Sequence, residues 1–252
     1  MNLAIDIGNT LTKFGLFKGR TLIKQYKIPT SKIVNTLQLF KKISKSFTVA
    51  QIGISSVVPE IDFFMKNPCK VYFKINPLFI SAKNKLPVKI KTEKPLKTGA
   101  DRICNAASGY EYYKHKENVI IAAFGTAVTY DVILKNGDFI GGLIAPGAAI
   151  SARALNAYAG RLPLIIYKNL NFPKNIVANN TVDSMKSGIV YSALYSVEGI
   201  IKQIEKIYKR KFKVIITGGD SGLFRNRLTI KAEFIDDLVL KGINEILKYN
   251  PN

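Results

Sequence analysis

Two stretches of the chain share one pattern, and this repeat decides the fold. Ile5-Asp6-Ile7-Gly8-Asn9-Thr10-Leu11-Thr12 corresponds to Ala122-Ala123-Phe124-Gly125-Thr126-Ala127-Val128-Thr129, with Gly8 opposite Gly125. Each stretch begins as an apolar strand and enters a glycine turn. A second strand, a Lys-Gly or Asn-Gly hairpin turn and a third strand follow in both copies. The period is too long for a solenoid, so the pattern predicts two related α/β halves that each open with a three-stranded meander.

The predicted halves are residues 1–114 and residues 115–252. No long linker rich in Pro, Gly or Ser separates them, so we expect them to pack closely around a cleft. Ser31 and Thr181 are the predicted caps of two helices. Periodicity and turn residues predict strands at 3–7, 13–17, 21–28, 51–57, 71–75, 78–81, 139–144 and 214–217, and helices at 32–46, 99–114, 148–158, 182–209 and 238–248.

Composition narrows the possible functions. The 252 residues include 38 Lys and Arg against 17 Asp and Glu, a formal net charge of +21. The lysines are spread over the whole chain without a nucleic-acid-binding motif, so nucleic acid is not an expected partner. Two cysteines, Cys69 and Cys104, and one histidine, His115, argue against a zinc site or a His-dependent triad. We expect Cys104 in the core and His115 on the surface.

The N-terminal residues do not resemble an export signal, because Asp6 interrupts a short apolar run with no basic leader before it. The longest apolar stretch, residues 119–134, is too short and too polar to span a membrane. The sequence therefore predicts a cytoplasmic protein with reduced thiols and no membrane partner.

The stretch from Asp6 to Lys13 has the residues of a phosphate site. A glycine turn after a buried strand lets backbone N–H groups approach a phosphate closely. Asp6 is placed to hold a hydrated Mg²⁺, and Lys13 to reach a terminal phosphate. A plain β-hairpin would use similar turn residues. The second copy at Gly125-Thr126-Ala127 favours the phosphate interpretation, since two such turns can grip a triphosphate.

Two further segments are candidates of lower specificity. Thr217-Gly218-Gly219-Asp220 follows a strand, and its glycines allow close approach of a flat ligand such as adenine, although a β-to-α loop can need glycine for structure alone. Gly99-Ala100-Asp101-Arg102 begins a helix. Asp101 can accept a proton from a substrate hydroxyl and Arg102 can hold an anion, or Asp101 can simply favour the helix dipole.

Other catalytic motifs are absent or incomplete. The chain has no GxxxxGK[ST] and no GxGxxG, which removes the support for a P-loop or a Rossmann site. Gly219-Asp220-Ser221-Gly222 imitates a serine-protease tetrapeptide, but the single histidine lies in a polar stretch around His115.

The ordered set of motifs resembles that of the type III pantothenate kinases over about residues 1–220. The motifs are Asp6-Ile7-Gly8-Asn9-Thr10, Ser55-Ser56-Val57-Val58-Pro59, Gly99-Ala100-Asp101-Arg102, Gly125-Thr126-Ala127-Val128-Thr129, Gly141-Gly142-Leu143-Ile144-Ala145-Pro146-Gly147, Leu162-Pro163, Asn180-Thr181 and Thr217-Gly218-Gly219-Asp220.

The resemblance implies the duplicated ribonuclease H-like fold of actin-like ATPases and sugar kinases, with a central nucleotide cleft. It also implies a homodimer that phosphorylates pantothenate with ATP, the first step of coenzyme A synthesis, with Mg²⁺ and a monovalent cation such as K⁺ or NH₄⁺. Carried over by motif, Asp101 is the general base. Gly99, Ala100, Asp101, Arg102 and, from the partner subunit, Thr181 bind the substrate. Asp6, Ile7, Gly8, Asn9, Thr10, Leu11, Thr12, Lys13, Gly125, Thr126, Ala127, Gly218 and Gly219 bind the nucleotide, with Asp6 also organising Mg²⁺ through water.

The chain departs from the family pattern at two positions. Ala123 stands where the family usually has an acid, and Thr92 stands where it often has Tyr. The missing carboxylate would remove either a ligand of the monovalent cation or a group that orients water. Two alternatives follow. One is a catalytically weakened homologue that binds nucleotide as an accessory or regulatory protein. The other is a kinase with a different acceptor, because pantothenate comes from the resemblance alone.

Overall fold

The computed structural model describes residues 1–166 and 170–251, in which strands and helices alternate as the sequence predicts. The strands are β1 (Asn2–Ile7), β2 (Leu11–Lys18), β3 (Thr21–Pro29), β4 (Gln51–Ser56), β5 (Leu78–Phe79), β6 (Lys89–Ile90), β7 (Val119–Phe124), β8 (Ala127–Ile133), β9 (Asp138–Pro146), β10 (Lys213–Thr217) and β11 (Glu233–Phe234). The helices are α1 (Thr36–Ser46), α2 (Pro59–Phe73), α3 (Ala100–Tyr112), α4 (Ala148–Tyr158), α5 (Thr181–Tyr208) and α6 (Leu238–Tyr249).

The strand order shows the duplication. The first sheet has the order β3-β2-β1-β4-β5, and the second sheet has the order β11-β10-β7-β8-β9-β6. Read from β9 to β11, the second sheet repeats the first strand for strand, with β6 added at its edge. In the first sheet β2 is antiparallel to β1 and β3, while β4 is parallel to β1. The predicted meander opening is therefore confirmed in both copies.

The chain forms two compact units. The first unit comprises Met1–Glu117, Val132–Gly141 and Asp237–Asn252, and the second comprises Asn118–Asp131 and Gly142–Asp236. This division differs from the contiguous halves, 1–114 and 115–252, that the sequence predicts. The last helix, α6, belongs to the first unit because its apolar face packs against β1, β4 and α3.

The core of the first unit lies on both faces of its sheet. β1 alternates between them: Leu3, Ile5 and Ile7 pack with α1 and α2, while Ala4 packs with α3 and α6. The two helices of the second face approach closely, since a Cβ on Gly242 would overlap the backbone carbonyl of Cys104. Cys104 is fully buried, as predicted.

The second unit has its own apolar cluster between α4 and α5. Ala152, Met185, Ile189 and Val190 are buried there together with Leu170. The ring of Phe124, at the end of β7, lies tilted against that of Phe224 with ring centroids 4.5 Å apart. This contact holds the end of β7 next to the chain that follows β10.

Four local predictions are wrong. Residues 71–75 were predicted as a strand, but Val71–Phe73 end α2, which has Pro59 in its first turn. The predicted helix 32–46 starts later, because a 3₁₀ turn occupies Thr30–Asn35. Ser31 therefore caps no helix. Asn180 rather than Thr181 caps α5, since its side chain accepts a hydrogen bond from the Asp183 N–H at 2.9 Å.

Within the described residues, no helix combines the length and the apolar character that a transmembrane segment requires.

Candidate active site

The first phosphate turn joins β1 to β2 and is held by Thr30. The Gly8 N–H donates to the Leu11 carbonyl at 3.2 Å, which closes the turn. The Thr30 hydroxyl donates to the Gly8 carbonyl at 2.7 Å, and the Thr30 N–H donates to the Thr10 carbonyl at 3.0 Å. The buried Thr12 hydroxyl lies 3.1 Å from the Thr30 hydroxyl. The turn is thus fixed by hydrogen bonds from Thr30, whereas Asn9 and Thr10 are exposed.

Asp6 lies at the centre of a charged group in the first unit. Burial raises the pKa of Asp6 to about 7, the Lys13 ammonium opposes that rise, and the charges of Asp101 and Asp237 add to it. The neighbouring Ser55 hydroxyl lowers the pKa of Asp6. Ser55 is fully buried and directly opposite Asp6 in the parallel β1–β4 pair, which explains that effect. A negative site of this kind favours a cation.

Lys13 forms an ion pair in the same group. It is the antiparallel neighbour of Asp6 on β2. Its Nζ lies 3.1 Å from Oδ1 of Asp237, the residue before α6. The pairing of Asp237 with Lys13 could not be predicted from the sequence, because the two residues are 224 positions apart and no local motif marks Asp237.

The Gly-x-Asp-Arg segment forms the first turn of α3, as predicted. Asp101 Oδ1 accepts a hydrogen bond from the Arg102 N–H at 2.8 Å. A Cβ at Gly99 would lie 2.7 Å from that oxygen, so glycine makes room for the carboxylate. Burial raises the pKa of Asp101, and the Arg102 N–H and guanidinium oppose the rise. The Arg102 guanidinium lies over the ring of Phe139, 5.5 Å from its centroid.

Thr92, one of the two departures, supports this segment. Its hydroxyl and that of Thr98 are 2.9 Å apart in a hydrogen bond across the 3₁₀ turn Pro95–Lys97. Thr98 directly precedes Gly99, and the buried Ala100 is the first residue of α3. Thr92 therefore fixes the approach to the Gly-x-Asp-Arg segment through a contact that sequence analysis did not predict.

The second phosphate turn joins β7 to β8 in the second unit. The Gly125 N–H donates to the Ala127 carbonyl at 3.1 Å. The Gly147 N–H donates to the Thr126 carbonyl at 3.1 Å, and a Cβ on Gly147 would overlap the backbone of this turn. Gly147 thus plays the part that Thr30 plays at the first turn. Ala123, the other departure, is a partly buried residue of β7 opposite Thr217 of β10.

The loop after β10 packs on the end of β7. Gly218 has φ +97°, and a Cβ there would overlap the Phe124 backbone, so only glycine fits. The Asp220 N–H donates to the Phe124 carbonyl at 3.2 Å. Gly219 is exposed, and burial raises the pKa of Asp220 to about 6. The second turn and this loop are therefore one packed assembly.

The remaining predicted residues are distributed as follows. Ile7 is buried at the end of β1, and Leu11 begins β2. Thr181 is exposed as the first residue of α5. His115 is on the surface as predicted, with its Nε2 2.9 Å from Glu111 Oε1.

The donor set fits a hydrated Mg²⁺. Burial, and to a lesser extent the charges of Asp101 and Asp237, raise the pKa of the Asp6 carboxylate. A bound cation would therefore stabilise its ionised form. Among the described residues, no three or more His, Cys, Asp or Glu side chains gather into a metal cluster. A single carboxylate suffices for Mg²⁺, which usually keeps several waters and binds substrate phosphates.

Comparison with known proteins identifies the family. A family model described as type III pantothenate kinase matches residues 2–203. A type III pantothenate kinase from Desulforapulum autotrophicum is 39% identical over 260 residues, which cover 98% of this chain and 96% of the relative. One from Halalkalibacterium halodurans is 37% identical over 259 residues, covering 99% of this chain and 100% of the relative.

Solved structures agree on the fold. A protein from Campylobacter jejuni, described as a conserved Baf family transcriptional activator, aligns with a TM-score of 0.60 at 22% identity over 99% of both chains. A protein from Listeria monocytogenes, described as an N-acetylmannosamine kinase, aligns with a TM-score of 0.55 at 12% identity over 98% of both chains. These likenesses and the repeated strand order confirm the duplicated ribonuclease H-like fold. The sequence matches establish the family: the chain belongs to the type III pantothenate kinases.

Proposed function

We propose that this protein transfers the terminal phosphate of ATP to the primary hydroxyl of pantothenate, giving 4'-phosphopantothenate. Family membership supports the reaction. The observation that supports the assignment is a group of charged residues in the first unit. Lys13 pairs with Asp237 at 3.1 Å and is the cross-strand neighbour of Asp6, whose pKa is raised by burial and then by the charge of Asp101. Phosphoryl transfer depends mainly on positioning and charge neutralisation, and this group supplies both.

Asp101 is the general base. Burial raises the pKa of its carboxylate, which makes it a stronger proton acceptor than an exposed aspartate. The Arg102 N–H fixes the carboxylate by bonding to Oδ1, so Oδ2 is left to take the proton of the attacking hydroxyl. The Arg102 guanidinium holds the carboxylate of pantothenate, with Gly99 and Ala100 alongside.

The two glycine turns bind the polyphosphate of ATP. The backbone of Gly8 to Thr10 and of Gly125 to Ala127 contacts the phosphates, with the Gly8 and Gly125 N–H groups closing the turns themselves. Ile7, Leu11 and Thr12 hold the first turn in place. The Lys13 ammonium neutralises the terminal phosphate. Gly218 and Gly219 lie against the adenosine.

Mg²⁺ is the cofactor that the site accommodates, with Asp6 as its protein ligand through water. When bound, Mg²⁺ would neutralise charge on the phosphates of ATP. The second cation, K⁺ or NH₄⁺, lacks a carboxylate at Ala123. We therefore expect weak stimulation by K⁺, and we expect Ala123→Asp to increase it.

We propose that the protein is a homodimer in the cytoplasm. Exposed apolar side chains in the second unit support the dimer: Val177 is 84% exposed, Tyr158 91% and Ile166 63%. A partner subunit that contacts these side chains would remove them from water. A partner subunit covering them would bring the exposed Thr181 to the substrate.

A coupled ADP-release assay with pantothenate, Mg²⁺ and K⁺ tests the proposal. The wild type should release ADP only when pantothenate is present. Asp101→Asn should keep the fold and the affinity for ATP but lose roughly 10²–10⁴-fold in turnover, the range for a general base.

Near-normal turnover by Asp101→Asn would exclude Asp101 as the base. Absence of pantothenate-dependent ADP from a folded wild type would contradict the kinase assignment. The accessory-protein alternative gains no support from the relatives, which are named as kinases.

A further inference from the structure

Lys13 and Asp237 form the best-defined ion pair near the first phosphate turn. Lys13 Nζ lies 3.1 Å from Asp237 Oδ1, and the two side chains are only 21% and 15% exposed. Because most of the pair is removed from water, its attraction is screened less than that of a surface pair. Both residues belong to the first unit.

The backbone at Asp237 is unusual. Its φ of 53° and ψ of 39° lie in the left-handed region, which costs energy for residues other than glycine and is best tolerated by Asn and Asp. Asp237 is the N-cap residue of α6, where an aspartate ordinarily accepts a hydrogen bond from the helix. Within the described chain, the Asp237 carboxylate accepts no such capping bond and pairs with Lys13 instead.

The anchoring of α6 does not require this ion pair. Leu240, Ile243, Ile246 and Leu247 are buried against the sheet and α3. Asp237 also adds a negative charge to a neighbourhood that already holds Asp6 and Asp101. The apolar face holds the helix, so the placement of this charge points to a role at Lys13.

We propose that Asp237 is a positioning residue that holds the Lys13 ammonium at the first phosphate turn, so that it meets the terminal phosphate of ATP. The inference rests on the proposed function, in that it takes ATP as the ligand of this turn. A lysine has a flexible four-carbon stem, and a fixed partner removes the cost of ordering it when the phosphate binds. The Lys13 ammonium would contact the third phosphate, which ADP lacks. The affinity for ATP should therefore depend on Asp237, and the affinity for ADP should not.

Asp237→Asn is the decisive variant, because asparagine keeps the size of the side chain and tolerates the left-handed backbone. Isothermal titration with the Mg²⁺ complexes of AMP-PNP and ADP measures binding without turnover. We expect Asp237→Asn to lower the affinity for AMP-PNP roughly tenfold, as for loss of a charge-assisted contact. The affinity for ADP should stay within about twofold of the wild type. Asp236→Asn, which removes a charge from the exposed neighbouring residue, should change neither affinity.

A double-mutant cycle shows whether the effect passes through Lys13. In the Lys13→Met background, Asp237→Asn should add nothing to the loss of AMP-PNP affinity. An equal effect on both nucleotides, tighter AMP-PNP binding, or a full effect without Lys13 would overturn the proposal. If Asp237→Asn fails to fold, Asp237→Gly removes the carboxylate while suiting the backbone, and the same outcomes apply.

Kinetics separate this inference from the proposed function. A wild type that binds AMP-PNP more tightly than ADP but releases no ADP with pantothenate contradicts the kinase assignment and leaves the inference standing. A wild type that turns over, with an Asp237→Asn variant of equal kcat and KM for ATP, overturns the inference alone. A wild type that binds neither nucleotide overturns both.

Discussion

The Gly8 turn and the Gly125 turn occupy the same position in the two sheets but differ in charge. At the first turn, Asp6 precedes the glycine and Lys13 follows it. At the second, the corresponding residues are Ala123 and Tyr130, and Tyr130 is buried. The two copies share their strand order, while the charged residues Asp6 and Lys13 of the first copy are replaced by uncharged residues in the second.

Each turn is also held in its own way. Thr30 side-chain and backbone bonds fix the first turn, whereas the close packing of Gly147 fixes the second. A turn held by polar side chains tolerates changes that a turn held by backbone contact does not. From this comparison we expect the first turn to contribute charge to the reaction and the second to contribute mainly through its backbone.

The largest effect should come from removing the charge that distinguishes the first turn. Asp6→Asn should lower kcat/KM for ATP by roughly 10²–10³-fold, because one preorganised charged group is lost. Ala123→Asn places the same side chain at the second turn and should change kcat/KM only a few-fold. Steady-state ADP release measures both. Equal losses of kcat/KM at the two positions would contradict the expected difference between the turns.

The next effect concerns packing at the second turn. Gly147→Ala should lower the free energy of unfolding by about 1–3 kcal/mol, the usual cost of overpacking, since its Cβ would overlap backbone that cannot move aside easily. Gly125→Ala is the matched control, because a Cβ there would lie 3.7 Å from the nearest atom, the Ala127 carbonyl oxygen. Urea unfolding midpoints compare the two. A Gly147→Ala protein as stable as Gly125→Ala would contradict the packing seen here.

The smallest effect is a pH dependence of stability at the first turn. The pKa of Asp6 is about 7 in the folded chain and 3.8 as its ordinary value, so the unfolded chain loses this proton first as pH rises. Ionised Asp6 therefore lowers stability progressively between about pH 4 and pH 7, and the penalty is full above pH 7.

Asp6→Asn removes that penalty. It should stabilise the nucleotide-free protein by on the order of 2 kcal/mol at pH 8.5, with a smaller gain at pH 5. Urea unfolding at the two pH values measures the difference. Ala123→Asn, which alters no ionisable group, should show the same change in stability at both. A gain from Asp6→Asn that is larger at pH 5 would reverse the sign and refute the assignment.

Much of the fold could be predicted from local sequence. The Gly8 and Gly125 repeat predicted both meanders, and the helical period of residues 99–114 predicted α3. The strand predicted at 71–75 was wrong: its β-branched and aromatic residues favour a strand locally, but Val71–Phe73 continue α2. Tertiary packing of Met65 and Cys69 in the core favours the helix there.

The candidate site was predictable only in part. Asp6, Asp101 and Lys13 lie within motifs, so their types and spacing indicated chemistry. Asp237 and Thr30 lie far from those motifs along the chain, and no pattern connected them to the first turn. Ser55 was part of a recognised motif, yet its effect on Asp6 follows from the pairing of β4 with β1.

By itself the sequence determined the duplicated α/β architecture, the two glycine turns and the residue types of the candidate site. These depend on short-range rules of periodicity, turn geometry and side-chain chemistry. The tertiary structure alone decided that Asp237 pairs with Lys13, that Ser55 faces Asp6 and that α6 completes the first unit. Such contacts arise from strand register and from the burial of apolar faces, which bring together residues that no local pattern relates.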